Sequence, residues 1–286
     1  MSLFVKKPIL ALMAEASDSE KGLKKTLGRG SLIALGIGAI IGGGIFTLTG
    51  IAAHDYAGPA LALSFVIAGI GCLFASLCYA EFASVLPVEG SAYAYAYGTV
   101  GELFAWFIGW NLILEYMMGA TTVAVAWSGY FVKLLHLFGI DFPIWLCNDL
   151  TTATEKYAEL GQGAPNFAFN LPAFLITWLV TYILVKGIKE AAKTNNIIVI
   201  IKVAVVLFVI IAGAFYIDTA NWQPFIPTEK TVIIDGVEKV SFGFGGVLTA
   251  ATIVFFAYIG FDAVSTQAGE AINPKKDVPF AIVASL

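Results

Sequence analysis

Gly36-Ile37-Gly38-Ala39-Ile40-Ile41-Gly42-Gly43-Gly44-Ile45-Phe46 places five glycines in its first nine residues. It lies inside an apolar run long enough to cross a bilayer. A helix in lipid can give up its regular hydrogen bonds only where the freed backbone lines a protected cavity. The stretch therefore predicts a helix interrupted at mid-depth, with bare amides and carbonyls turned toward a small ligand.

The surrounding chain supports a membrane setting. Of 286 residues, 59% are hydrophobic and 13% are charged, about half the charge of an average soluble domain. Residues 1–29 form a polar leading segment that carries Lys6, Lys7, Lys21, Lys24, Lys25 and Arg29, unlike a secretory signal peptide. Apolar spans are predicted at about 30–52, 60–86, 102–135, 171–185, 195–217 and 242–271, with a partial one at 280–286. The transmembrane domain is thus 30–286, and the abrupt stop in a seventh apolar run suggests a piece of a longer protein. The third span is long enough to tilt or project. Polar loops are expected at 139–170 and 218–241.

Charge sets an orientation. With the N-terminus cytoplasmic, inner segments hold eleven of the sixteen Lys and Arg residues. Outer segments hold four, and Lys202 lies within a span. The positive-inside rule favours that arrangement. Cys72, Cys78 and Cys147 make no metal-ligand spacing, and two histidines (His54, His136) suggest no zinc or triad chemistry. No metal, cofactor or nucleic acid is expected, and no nucleophile–base pair points to an enzyme.

A second interruption is predicted at Phe255-Phe256-Ala257-Tyr258-Ile259-Gly260-Phe261-Asp262, in the sixth span. Transporters built from inverted five-helix repeats break the first helix of each repeat, and spans one and six stand at that interval. Close helix packing through Gly38 and Gly42, four residues apart, is the alternative for the first cluster taken alone. A nucleotide loop fits poorly, because the glycine spacing is wrong and no lysine follows. Amides of Gly42, Gly43 and Gly44 would suit a carboxylate at the start of a half-helix. Carbonyls near Ile40, Phe256, Ala257 and Ile259 would suit an ammonium. Together they complement an α-amino acid backbone, with Phe256 as a wall or gate, or else an ordinary packed ring.

These residues carry a family resemblance. Gly42-Gly43-Gly44-Ile45-Phe46 resembles the first-helix signature of the amino acid–polyamine–organocation superfamily. Tyr79-Ala80-Glu81-Phe82-Ala83-Ser84, Pro87 and Glu89-Gly90-Ser91-Ala92-Tyr93 with Tyr95 resemble its cationic amino acid transporter branch. Phe256 to Gly260, Glu270, Asn273-Pro274 and Asp277-Val278-Pro279 continue the likeness. The resemblance implies an all-α polytopic membrane protein with a leucine-transporter-like inverted-repeat fold. This chain would supply the first repeat, the sixth helix and the start of the seventh. It also implies amino acid transport across the plasma membrane, with Ile40, Gly43, Gly44, Phe256, Ala257 and Ile259 contacting substrate.

Two charges inside spans are candidates for proton coupling. Glu115 sits centrally in the third span with Asn111 and Thr122 on its face. An ionised carboxylate there costs at least about 2.5 kcal/mol, so a proton or a partner is expected, whether for coupling or as a fixed hydrogen bonder. For Lys202 the resemblance suggests an ammonium standing where sodium-coupled relatives hold a cation. The competing reading is snorkelling toward Lys193 and the interface. Asp262 and Glu270 read as helix-end or gate hydrogen bonders, and Glu81, Glu89 and Glu102 as loop groups. The expected activity is proton-coupled symport of cationic or small neutral amino acids by alternating access. The alternatives are a proton-independent exchanger and a non-transporting sensor or channel. A small accessory subunit stays an open partner.

Overall fold

The computed structural model describes residues 5–17, 25–234 and 237–286, without the side chains of 188–190 and 232–240. Lys21 and Lys24 of the leading segment, and the side chains of Lys189 and Lys239, lie outside that description. Helix α1 (Ile9–Ser17) precedes α2 (Arg29–Ile40). A π-helical turn (Gly44–Leu48), the short α3 (Thr49–Ala52) and a second π-helical turn (Ala53–Ala57) lead to Gly58 and Pro59. Then come α4 (Leu61–Val85), α5 (Ser91–Thr99), α6 (Glu102–Leu137), α7 (Ile144–Cys147), α8 (Leu150–Glu159), α9 (Leu171–Lys186) and α10 (Ile188–Ala214). The antiparallel pair β1 (Lys230–Ile234) and β2 (Val237–Ser241) follows. Helix α11 (Gly243–Val254), a 3₁₀ turn (Phe255–Tyr258), α12 (Ala263–Thr266) and α13 (Pro274–Ser285) complete the order.

Among the described residues four segments are long and apolar enough to cross a membrane: Arg29–Val85, Glu102–Leu137, Ala191–Ala214 and Gly243–Thr266. The first, at 57 residues, would extend about 85 Å as one helix. That is more than twice a hydrocarbon core, and the turn at Gly58–Pro59 divides it. Several expected boundaries move. Helix α9 is not among them: it ends at Lys186, one residue past expectation, because Gly187 leaves helical geometry (φ 133°, ψ 162°). Helix α10 begins at Ile188, not 195, and the sixth apolar segment stops at Thr266, not 271. The region 280–286 belongs to α13, which starts at Pro274. The loop 139–170 folds into α7 and α8, and the loop 218–241 carries the β1–β2 hairpin. With that hairpin its one sheet among the described residues, the chain is an all-α polytopic membrane protein.

The helices group into two units: the chain up to Leu112 together with Ala192 onward, and residues 113–191. In the first unit α13 packs on both α2 and α4, and α11 packs on α4 and the second π-helical turn. One apolar cluster gathers Leu27, Leu32, Cys72, Phe261, Val264 and Ile282. A second gathers Tyr56, Leu61, Ala68, Val247 and Val254. Tyr258 packs against both, at the level where the sixth segment is interrupted. Ser64, fully buried on α4, donates to the carbonyl of Val247 on α11 at 2.8 Å, so even the polar group between these helices is satisfied. In the second unit Asn170 heads α9, its Oδ1 accepting from the Ala173 amide at 3.1 Å and from Ser128 Oγ at 2.6 Å. Asp149 caps α8 in the same manner, through the amide of Thr152.

Candidate functional site

The α2 ladder closes where Ile41 N–H donates to the Ile37 carbonyl at 2.9 Å. Ile41 itself turns out of the helical region (φ −74°, ψ 89°), and helical structure resumes around Gly43 and Gly44. The resumed turn is wide, and two hydroxyls take up its carbonyls: Thr47 donates to Gly43 O, and Thr49 to Ile45 O at 2.7 Å. The carbonyls left at the end of α2 have a different partner. Lys202 Nζ on α10 donates to Gly38 O at 3.0 Å and to Ile41 O at 2.7 Å. Seven residues earlier on the same helix face, Asn195 Nδ2 donates to Ala34 O at 3.2 Å. Partners rise together in number on both helices, so α2 and α10 run side by side in the same direction.

The second interruption follows α11. A 3₁₀ turn ends at Ile259 in extended geometry (φ −59°, ψ 135°), and Gly260 takes φ +122°, which side-chain-bearing residues rarely adopt. A Cβ on Gly260 would stand 2.8 Å from the carbonyl carbon of Ala39. One on Gly44 would stand 2.7 Å from Ala257 Cα. Backbone therefore lies on backbone at both crossings, and the two interruptions touch. Asp262, 6% exposed, leads into α12, and its carbonyl accepts from the Ser265 amide at 2.9 Å and hydroxyl at 2.6 Å.

Placed residue by residue, the expected substrate group divides. Gly44 and Ala257 are in direct apposition, and Ala257 is buried at 5% exposure. Gly42 and Gly43 form the gap between α2 and the wide turn. Phe256 and Ile259 are half-buried beside them, while Ile40 packs its side chain against the first apolar cluster. Near Ile40, where a carbonyl was expected to receive a substrate ammonium, the carbonyls of Gly38 and Ile41 hold the ammonium of Lys202. That geometry also replaces the snorkelling reading, since Nζ turns toward the interrupted helix.

Glu115 belongs to the second unit, on a stretch of α6 where it and its neighbours Leu114 and Tyr116 are exposed. The burial expected for its carboxylate is not supplied by the described residues, because few side chains of that unit cover this length of α6. Asn111 and Thr122 each donate to a carbonyl of their own helix, Phe107 O at 3.0 Å and Met118 O at 2.8 Å. Sequence reasoning missed Asn195 and Tyr258. The seven-residue spacing of Asn195 and Lys202 was a readable signal for one polar helix face. Tyr258 had none, since its partner is the Phe65 carbonyl, distant in sequence at 3.0 Å. Among the described residues no group of three or more His, Cys, Asp or Glu side chains is disposed to hold a metal ion.

Residues 27–286 match the family described as amino acid permease. Over its whole length the chain is 50% identical to a branched-chain amino acid permease of Bacillus subtilis (strain 168), covering 56% of that protein. It is 45% identical to a methylthioribose transporter of the same organism, again over all of this chain and 56% of the relative. A chloroplastic cationic amino acid transporter of Arabidopsis thaliana is 40% identical over 96% of this chain and 44% of its own length. The chain thus spans about half the length of these relatives. With two touching helix interruptions in an apolar, polytopic frame and a match over nearly every residue, the chain belongs to the amino acid permease family, a family of membrane transporters and not of enzymes.

Proposed function

We propose that this protein carries out secondary active transport of amino acids across the plasma membrane by alternating access, as a proton-coupled symporter with its N-terminus in the cytoplasm. The observation that carries the reading is the pair of touching interruptions, Ile41–Gly43 and Ile259–Asp262, with Lys202 on the carbonyls of the first. In this reading an inverted repeat relates the two. The parallel course of α2 and α10 supports it, because helices one and five of such a repeat point the same way through the bilayer. Gly42, Gly43 and Gly44 receive the substrate carboxylate, and Phe256, Ala257 and Ile259 border its ammonium. Since Lys202 occupies the opposing carbonyls, its ammonium stands where a coupling cation would, and Glu115 is the second proton-coupling candidate.

Cationic or small neutral amino acids remain the substrate class, and a small accessory subunit is compatible with the exposed faces. One relative favours a second reading. Methylthioribose has neither ammonium nor carboxylate, so a pocket of this family accepting a neutral solute is compatible with the name in that match.

Uptake into proteoliposomes tests these readings. Labelled amino acids should accumulate with an inward proton gradient, and Glu115→Gln should lose the gradient dependence. Counterflow without any response to the gradient overturns proton coupling. Uptake of methylthioribose with no uptake of any amino acid overturns the zwitterion pocket.

A further inference from the structure

The N-terminal ends of α2 and α13 face a common cavity of about 550 Å³, within the size range of ligand pockets. Among the described residues Lys25, Arg29, Lys275 and Lys276 line it, against one carboxylate, Asp277. That carboxylate is already engaged: Arg29 Nε donates to Asp277 Oδ1 at 2.8 Å, and Asp277 is only 6% exposed. Lys25, Lys275 and Lys276 are exposed. Neither helix start is closed by a side chain, at Gly28 or at Asn273. The first amides of α2 therefore lack a side-chain cap. Helix α13 opens on Pro274, which has no N–H, and its Lys276 and Asp277 amides donate to Asn273 O at 3.1 and 2.9 Å. It thus brings chiefly its positive dipole end to a space ringed by cations.

The backbone fixes this geometry. The amides of Thr26 and Leu27 both donate to Glu270 O at 2.9 Å, and Ile272 N–H donates to Leu27 O at 2.9 Å. This short parallel bridge joins the segment before α2 to the segment before α13. The cationic rim is thus held by main-chain bonds, not by the lysines alone. Val88 and Met13 supply an apolar floor, and Phe280, half exposed, lies under the Arg29 guanidinium at 4.9 Å.

We propose that this cavity binds a phosphate group, with Lys25, Lys275, Lys276 and the uncapped amides of α2 as donors and Arg29 shared between the anion and Asp277. The position at the polar ends of apolar helices suits an anionic phospholipid headgroup, whose chains would run along exposed apolar side chains such as Phe280 and Val85. A free phosphate offers the same oxygens. The site is independent of the transport reading.

The test is native mass spectrometry of the purified protein in detergent, titrated with short-chain phosphatidylglycerol, short-chain phosphatidylcholine or inorganic phosphate. Wild type should bind phosphatidylglycerol and not phosphatidylcholine. Lys275→Gln with Lys276→Gln should weaken binding roughly thirtyfold, about tenfold or less per charge removed. Lys133→Gln, in the other unit, should leave it unchanged. Displacement of the lipid by millimolar phosphate would assign the site to a soluble phosphate, and its absence to the lipid. Equal retention of both lipids, or unaltered phosphatidylglycerol and phosphate binding by the folded double variant and by Arg29→Gln, would overturn the proposal. Thermal unfolding of each variant separates misfolding from loss of the site.

Discussion

Lys202 donates its ammonium to the Ile41 carbonyl at 2.7 Å, at the residue where α2 gives up helical geometry. A charged donor on two carbonyls is worth several times a neutral hydrogen bond, and withdrawing it leaves both acceptors without a partner. Lys202→Met should therefore loosen the end of α2 at a cost of about 3 kcal/mol. We expect uptake to fall at least tenfold and thermal unfolding of the purified protein to begin several degrees lower. Lys202→Arg keeps the charge but brings a planar fork, and should retain more stability than uptake. Wild-type uptake by Lys202→Met would remove this contact from the transport site.

Gly44 and Ala257 meet backbone to backbone: a Cβ at residue 44 would stand 2.7 Å from Ala257 Cα. The obstacle is backbone, so it has no rotamer through which to escape. Gly44→Ala should already cost about 1–3 kcal/mol by overpacking. Gly44→Val, larger and branched, should part the two interruptions and abolish uptake. Substrate binding measured by isothermal titration should fall in the same order, wild type, Ala, Val. Binding unaffected in Gly44→Val would show that the apposition has no part in substrate recognition.

Much of this arrangement can be read before any coordinates are known, because membrane physics narrows what a glycine cluster does at mid-depth. Interruptions near Gly42 and Gly260 follow from composition and interval alone. The partners do not. That Lys202 takes the α2 carbonyls depends on the relative rotation of α2 and α10, which a stretch as evenly apolar as 197–201 does not specify. The start of α10 at Ile188 was likewise hidden, since Lys186 and Lys189 mark a polar end without fixing where the next helix begins. Glu115 is a separate case: a charge in an apolar run implies a proton or a partner, but not which residues provide it.

Asp149 gives a pH-dependent prediction outside the spans. Its Oδ1 accepts from the Thr152 hydroxyl at 2.5 Å and its Oδ2 from the Thr152 amide at 3.1 Å. These bonds, the hydroxyl's first, hold the carboxyl below its ordinary value of 3.8. A lowered acid stabilises the fold fully above 3.8, and that contribution is lost as pH falls below it toward the folded value. Because the group is exposed, the cap is worth about 1 kcal/mol or less. Hydrogen exchange of the first α8 amides, corrected for intrinsic rate, should therefore quicken below pH 3.8 in wild type. Asp149→Ala should show the faster exchange at neutral pH already and little further change on acidification. Identical protection in the two proteins at neutral pH would remove the cap from the account.

Tyr258 ties the second interruption to an intact helix. Its hydroxyl donates to Phe65 O at 3.0 Å in the first turns of α4, and the rings of Phe65 and Tyr258 meet edge to face at 6.1 Å between centroids. The hydroxyl reaches that carbonyl because residue 69, one turn on, is glycine: a Cβ there would lie 3.0 Å from the Tyr258 oxygen. Tyr258→Phe removes the bond and keeps the ring, so it should cost about 1 kcal/mol and leave the fold in place. Gly69→Ala should push the hydroxyl away while adding helix propensity of nearly the same size, leaving stability close to wild type. If Tyr258 holds the interruption in position for alternating access, both variants should lower the rate of uptake several-fold, although only the first is appreciably destabilised. Gly69→Ala in the Tyr258→Phe background should then add little, because the hydroxyl it displaces is already gone. Full additivity of the two losses in uptake would mean that residues 69 and 258 act separately, and that the tyrosine serves packing between the two apolar clusters alone.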